Sequence, residues 1–232
     1  MDLKALRSRL AAEADEFSNV VAACRGVSQA EALSSEVLPL LDGIQWLERE
    51  ASRILAPRRE SARGRPQWMF GLEVEVRRVP LGRVLILGPG NYPLFLPGIQ
   101  ALQALVAGNQ VLLKPQVGCE EPLRRLAALL PTDRLQLLPS SPEAGRQAIA
   151  DGVDLVVLTG SAQSGRAVMA LCAEHVTPLI AELSGADAIV VGPGADLSLV
   201  ARAAAWSASL RTAVLRQSCP GSRSWKRATS TT

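Results

Sequence analysis

Lys114 closes the apolar run Val111-Leu-Leu113, and Glu182 closes another, Pro178-Leu-Ile-Ala181, just before Leu-Ser-Gly185. Thr159-Gly-Ser-Ala-Gln-Ser-Gly165 follows Asp154-Leu-Val-Val-Leu158, and Gly88-Pro-Gly-Asn-Tyr-Pro93 follows Val84-Leu-Ile-Leu87. A carboxylate at a strand end between apolar residues is a candidate for a raised pKa and general-base work. Glu182 fits that description, with a buried ion pair as the plainer alternative. Gly160 and Ser161 lead into a helical pattern, so backbone N–H groups and the helix dipole there could hold a phosphate. A simple turn after a strand is the competing reading, and for Lys114 it is a solvated cation.

The elements that must position these groups are legible from the apolar pattern. From Val84 to Leu113 the chain carries no charge. A membrane helix needs roughly 20 mostly apolar residues, and Gly88, Pro89, Gly90, Asn91, Pro93, Pro97 and Gly98 interrupt this run. Read in pieces, Val84–Leu87 is a buried parallel strand ending in a Gly-Pro-Gly turn, and Pro97–Ala107 is a helix with proline near its start. Gly108-Asn109 stops that helix, and Val111–Leu113 is a second strand. Strand, helix and strand make a βαβ unit with its ligand site at the strands' carboxyl ends.

The same alternation continues. Helices are predicted at Glu121–Leu130, Pro142–Ala150, Ser164–His175 and Leu197–Leu210, and strands at Leu135–Leu138, Asp154–Leu158, Thr177–Glu182 and Ala188–Val191. That spacing specifies an α/β fold, a doubly wound and mostly parallel sheet. Upstream, residues 2–24 read as one amphipathic helix and Gln29–Leu55 as a second, bent at Pro39. Arg58, Arg59, Arg63 and Arg65 line an exposed linker, and Phe70–Val79 alternates as a strand with one wet face. The expected organisation is a helical segment over 1–65, an α/β domain over 66–210 and a basic, disordered tail over 211–232.

Hydrophobic content of 48% with 20% charged residues excludes a disordered chain. Only 3% is aromatic, which argues against base-stacking platforms for nucleic acid. Arg211, Arg216, Arg223, Lys226 and Arg227 account for the positive balance; residues 1–210 hold 20 basic and 22 acidic side chains. The body is near neutral, so neither nucleic acid nor membrane is expected as a partner. Cys24, Cys119, Cys172 and Cys219 are scattered and His175 is the single histidine, which fits no metal site, no disulfide framework and a cytoplasmic setting.

In order and spacing, four segments together resemble the aldehyde dehydrogenase superfamily. "VPLGRVLILGPGNYPL" is similar to its first strand and oxyanion loop, and "LVAGNQVLLKP" to its second strand with the cofactor lysine. "LTGSAQSGRAV" resembles its phosphate turn and "IAELSGADAIVV" its general-base strand. "GADLSLVARAAAWSASL" follows the family's aspartate-then-helix pattern. The resemblance covers about residues 70–210, with the two N-terminal helices in agreement, and implies a Rossmann-like dinucleotide-binding domain. It also implies oxidation of a small-molecule aldehyde to an acid by NAD or NADP through a cysteine thioester. Asn91 would stabilise the oxyanion and Glu182 would activate water. Lys114 would bond the adenosine ribose, and Gly160, Ser161 and Gly165 would lie by the pyrophosphate. Thr159, Pro89 and Gly145 would complete the cofactor side.

Four positions depart from the family pattern. Gly90 replaces an aromatic before the asparagine, Val117 replaces a glutamate three residues after the lysine, and Ser184-Gly185-Ala186 replaces Gly-Gly-Lys. Most severely, Arg216 stands where the nucleophilic cysteine belongs, and arginine cannot act as that nucleophile. Cys219, three residues on, would need a register shift and is read as a free thiol in a loose tail. The resemblance is read as ending at Leu210, with the chain truncated or frameshifted there and catalytically inactive. An acyl-CoA reductase-like relative, or a non-catalytic nucleotide- or partner-binding fragment, is the alternative. Full-length members are homo-oligomers; this chain is expected to aggregate or form ill-defined oligomers.

Overall fold

In the computed structural model, residues 1–61, 63, 66–69, 71–185 and 188–210 are described. The chain begins with a layer of helices: α1 (Leu3–Ala12), α2 (Ala14–Arg25), α3 (Gln29–Ala32) and α4 (Leu38–Leu55). Asp2 starts α1 by accepting the Ala5 N–H at 2.9 Å, and Ser28 starts α3 by accepting that of Glu31 at 3.1 Å. The single helix expected over residues 2–24 is interrupted at Glu13. The break is slight, because Glu13 N–H still reaches Arg9 O at 3.1 Å and Phe17 N–H reaches Glu13 O at 3.0 Å. A single wide π-turn, Leu33–Val37, joins α3 to α4. Residues 29–55 are helical throughout, and the wide π-turn two residues before Pro39 accommodates the backbone N–H that proline lacks.

Arg58 and Arg59 are not linker. They belong to a short strand, β1 (Arg58–Glu60), paired antiparallel with β2 (Val74–Val76). The alternation expected over Phe70–Val79 is thus realised at only three residues; Leu72 and Val79 stay exposed, and Phe70 lies outside the described residues.

The main sheet consists of β3 (Arg83–Leu87), β4 (Gln110–Lys114), β5 (Leu135–Leu137), β6 (Leu155–Gly160) and β7 (Leu179–Leu183), ordered β5-β4-β3-β6-β7 and parallel throughout. The crossover helices are α5 (Phe95–Val106), α6 (Glu120–Ala128), α7 (Pro142–Ala150) and α8 (Ala162–Glu174). From β3 the chain winds outward through β4 and β5, then returns to lay β6 on the other side of β3. The order reverses between β3 and β6, where the loops part and leave a crevice.

Alternation along β3 divides the interior. Val84 and Ile86 join Val111 and Leu113 in a core shared with Leu102 and Leu105 of α5 and with Leu10, Phe17, Leu40 and Ile44 of the N-terminal helices. Leu85 and Leu87 face the other way, with Leu112, Val156 and Leu158 against Ala148, Ile149 and Cys172. A strand buried on both faces must be apolar at every position, which is why Val84–Leu87 shows no polar alternation.

The strand expected at Ala188–Val191 is not formed. These residues pair with nothing among the described ones, and Val190 is 91% exposed. An apolar run becomes a strand only where a neighbour meets its N–H and C=O groups. The final helix, α9 (Leu197–Leu210), forms as expected after Asp196, whose Oδ1 accepts the N–H groups of Ser198 at 2.8 Å and Leu199 at 3.2 Å.

Candidate functional site

A cleft of about 650 Å³ opens over the carboxyl ends of β3, β4, β6 and β7. Its wall brings together Pro89, Asn91, Lys114, Gly145, Thr159, Gly160, Ser161 and Glu182. These residues span ninety-odd positions of sequence, and the crossover topology alone makes them neighbours.

Lys114 is not the solvated cation that a surface reading would have it. It is 9% exposed, and its Nζ donates to the Pro115 carbonyl at 3.0 Å. Burial pushes its pKa below the ordinary lysine value, partly opposed by the Glu120 carboxylate. A cation kept in so dry a place is a strong partner for an anion that can displace water around it. Gly145 lets α7 approach this lysine: a β-carbon there would lie 3.2 Å from Leu87 Cδ2 and 3.4 Å from Lys114 Cδ.

Thr159 and Gly160 belong to β6 itself rather than to a turn after it, in register with Glu182 and Leu183 of β7. Ser161 is the N-cap of α8, its Oγ accepting the Ser164 N–H at 3.1 Å. The Ser161 and Ser164 side chains at the start of α8 line the cleft, and the helix dipole puts partial positive charge at that end. Gly165 does not line the cleft. It is buried under β7, where a β-carbon would come 2.5 Å from Leu183 Cδ1, so its role here is close packing of α8.

Glu182 is exposed on edge strand β7, so the buried surroundings expected for it are not supplied by the described residues, and none of their cations pairs with it. Asn91 is half-buried in the loop after β3. That loop is braced from below by residues the sequence reading passed over. Glu36, fully buried, accepts the N–H groups of Leu94 at 3.0 Å and Phe95 at 2.7 Å, which satisfies the start of α5. The Arg25 guanidinium stands 3.7 Å from Glu36 and 5.4 Å from the centroid of the Tyr92 ring. Four residues from Leu40 on the apolar stripe of its helix, Glu36 carried a signal: a carboxylate facing the core. Gln116 and Arg146 also line the cleft and had no motif to mark them, whereas Ser164 and Ser184 line it from within the phosphate-turn and general-base segments.

The donor set suits a dinucleotide: a helix N-terminus for a pyrophosphate, a dry lysine for a ribose or its phosphate, and an apolar floor of Leu87, Ile149 and Leu158 for a ring. Arg216 and Cys219 lie outside the described residues.

The aldehyde dehydrogenase family profile matches residues 2–219. The chain belongs to the aldehyde dehydrogenase family. The match takes in the N-terminal helices as well as the sheet and runs to Cys219. Similarity to a 4,4'-diapolycopene aldehyde oxidase of a Methylomonas species is 33% identity over 211 residues, 89% of this chain and 39% of that protein. Mouse aldehyde dehydrogenase family 3 member B2 is 37% identical over 135 residues, 56% of this chain and 28% of its own. Among solved structures, an aldehyde dehydrogenase from Brucella melitensis biovar abortus 2308 superposes with a TM-score of 0.78 at 27% identity, covering 89% of this chain and 43% of that one. A Mycobacterium tuberculosis aldehyde dehydrogenase complexed with NAD+ gives a TM-score of 0.74 at 25% identity, covering 84% of this chain and 40% of its own. The chain thus spans about two-fifths of the length of the first of these relatives. The α/β sheet with N-terminal helices is the family fold.

Proposed function

We propose that the cleft binds NAD or NADP, and that the chemistry of this lineage is oxidation of an aldehyde to a carboxylic acid. The observation that carries the reading is the convergence of Lys114, the α8 N-terminus capped by Ser161, Asn91 and Glu182 on one cleft at the β3/β6 crevice. Lys114 and the first N–H groups of α8 would hold the anionic and ribose parts of the dinucleotide. When bound, the cofactor accepts a hydride from the substrate carbon. The Asn91 side-chain amide would donate to the aldehyde oxygen as it gains negative charge, a contribution on the order of 3 kcal/mol in comparable oxyanion sites. Glu182, open to solvent, would take a proton from water so that the resulting hydroxide can attack a cysteine thioester.

For the sequence as given, Arg216 occupies the position of that cysteine, and we propose that this chain does not turn over aldehydes. Four scattered cysteines with no CxxC pair support a reducing, cytoplasmic setting. Calorimetric titration with NAD and NADP tests the binding half of the reading; heat indistinguishable from buffer with both would sink it. Aldehyde-dependent NADH or NADPH formation tests the other half. Turnover that vanishes in Cys219→Ser would assign the nucleophile to Cys219, the last residue of the family match.

A further inference from the structure

Away from the cleft wall, two cysteines separated by 95 positions meet where the helical layer touches the sheet domain. Cys24 lies in the last turn of α2 and Cys119 is the N-cap of α6. The Cys119 thiol reaches the Cys24 carbonyl at 3.6 Å, while the Cys24 thiol reaches the Val21 carbonyl at 3.4 Å. Both are free thiols. We propose that Cys24 and Cys119 are a hydroperoxide-sensitive dithiol that closes to a disulfide stapling the end of α2 to the start of α6.

Their surroundings set the order of events. The Cys119 thiol is held below its ordinary value by the neighbouring Cys24 side chain, against the opposing effects of burial and of the Glu120 and Glu36 carboxylates. Cys172 has no such partner, and burial alone pushes its thiol up. In the first step, the Cys119 thiolate attacks one oxygen of a hydroperoxide. The O–O bond breaks, leaving a sulfenic acid on Cys119 and, after uptake of the thiol's proton, an alcohol. The Cys24 sulfur then attacks the sulfenic sulfur; the S–S bond forms, the S–O bond breaks, and the hydroxyl leaves as water with the Cys24 proton. Two thiols are oxidised and one peroxide is reduced, with no other reactant.

The staple would bear on the cleft without touching it. Cys119 N–H donates to Gln116 O at 3.0 Å, and Gln116 and Lys114 form the cleft wall on that side. Fixing Cys119 to α2 therefore fixes the β4–α6 loop. The disulfide also removes freedom from the unfolded chain across a long loop, which raises stability.

The test treats the full chain with an equimolar hydroperoxide, alkylates the remaining thiols, and maps peptides by mass spectrometry. The expected result is a Cys24–Cys119 link, with Cys172 alkylated, reversed by dithiothreitol and absent in Cys24→Ser and in Cys119→Ser. Serine is itself a preferred N-cap, so the second variant retains the start of α6. The oxidised protein should melt at a higher temperature than the reduced one. Full alkylation of both cysteines after peroxide, links to Cys172 or Cys219 formed as readily, or the same yield in the urea-unfolded chain would each overturn the proposal. None of these readouts depends on cofactor binding.

Discussion

Glu36 and Phe95, 59 positions apart, are joined by a 2.7 Å hydrogen bond from the Phe95 backbone N–H to a carboxylate that is 0% exposed. Burial raises the Glu36 pKa from 4.5 to about 7, and the N–H groups of Phe95 and Leu94 and the charge of Arg25 only partly offset it. Its Oε1 has no hydrogen-bond partner. The folded chain therefore holds the Glu36 proton more tightly than the unfolded chain does. The stabilisation is complete below 4.5 and is lost as pH rises through about 7. The span corresponds to about 3 kcal/mol. Urea melts across this range should show stability falling with pH in the natural protein and a flatter profile in Glu36→Gln, which keeps an acceptor and cannot ionise. Parallel profiles would show that Glu36 does not ionise on unfolding in this window.

The contact of Gly165 with Leu183 gives a second expectation. A β-carbon at Gly165 would lie 2.5, 2.7 and 3.2 Å from three atoms of Leu183, so the whole branch must move. Gly165→Ala should cost about 1–3 kcal/mol in a denaturant melt, and Gly165→Val more. Leu183→Ala should restore part of the loss in the double variant. Wild-type stability in Gly165→Ala would mean that α8 does not sit as close to β7.

Lys114 should be worth more to a ligand than to the fold. Replacing it by methionine removes a charge held in a dry site together with one bond to Pro115 O. Lys114→Met should weaken dinucleotide binding by about 10- to 100-fold while changing stability by no more than about 1 kcal/mol. Val117, exposed, places no carboxylate beside the lysine, and the nearby Glu120 accepts the Gly118 N–H at 3.1 Å. Calorimetry should accordingly find little preference between NAD and NADP. Strong preference for NAD, or undiminished NADP binding in the variant, would displace the adenosine site from Lys114.

Self-association is the fourth expectation. Ile180 on the open edge strand β7, with Ile189, Val190, Leu197, Leu199 and Trp206 beyond it, is exposed among the described residues. Apolar patches beyond a few hundred Å² usually drive association. Size-exclusion chromatography should show species larger than one chain, shifted toward the monomer by Val190→Glu combined with Trp206→Ser. A sharp monomer peak from the unaltered chain would contradict this.

The sequence alone determined most of the elements and, at Leu87 and Lys114, the ends of the strands that carry the site, while β6 runs on through Thr159 and Gly160. A charge-free run as short as Val84–Leu87, closed by Gly-Pro-Gly, reads as a strand buried on both faces, and Ser161, with its hydroxyl before a helical pattern, marks a helix start. Those signals are local, set by a residue and its near neighbours, and so they are written in order along the chain. Which strands become neighbours is not local. The order β5-β4-β3-β6-β7, the crevice it opens, the burial of Lys114 and the meeting of Cys24 with Cys119 follow from the hand of each crossover and from packing across distant segments. The same physics left Ala188–Val191 outside the sheet. Its residues favour a strand as strongly as those of β7, but a strand exists only beside a partner, and the tertiary structure of the described residues provides none.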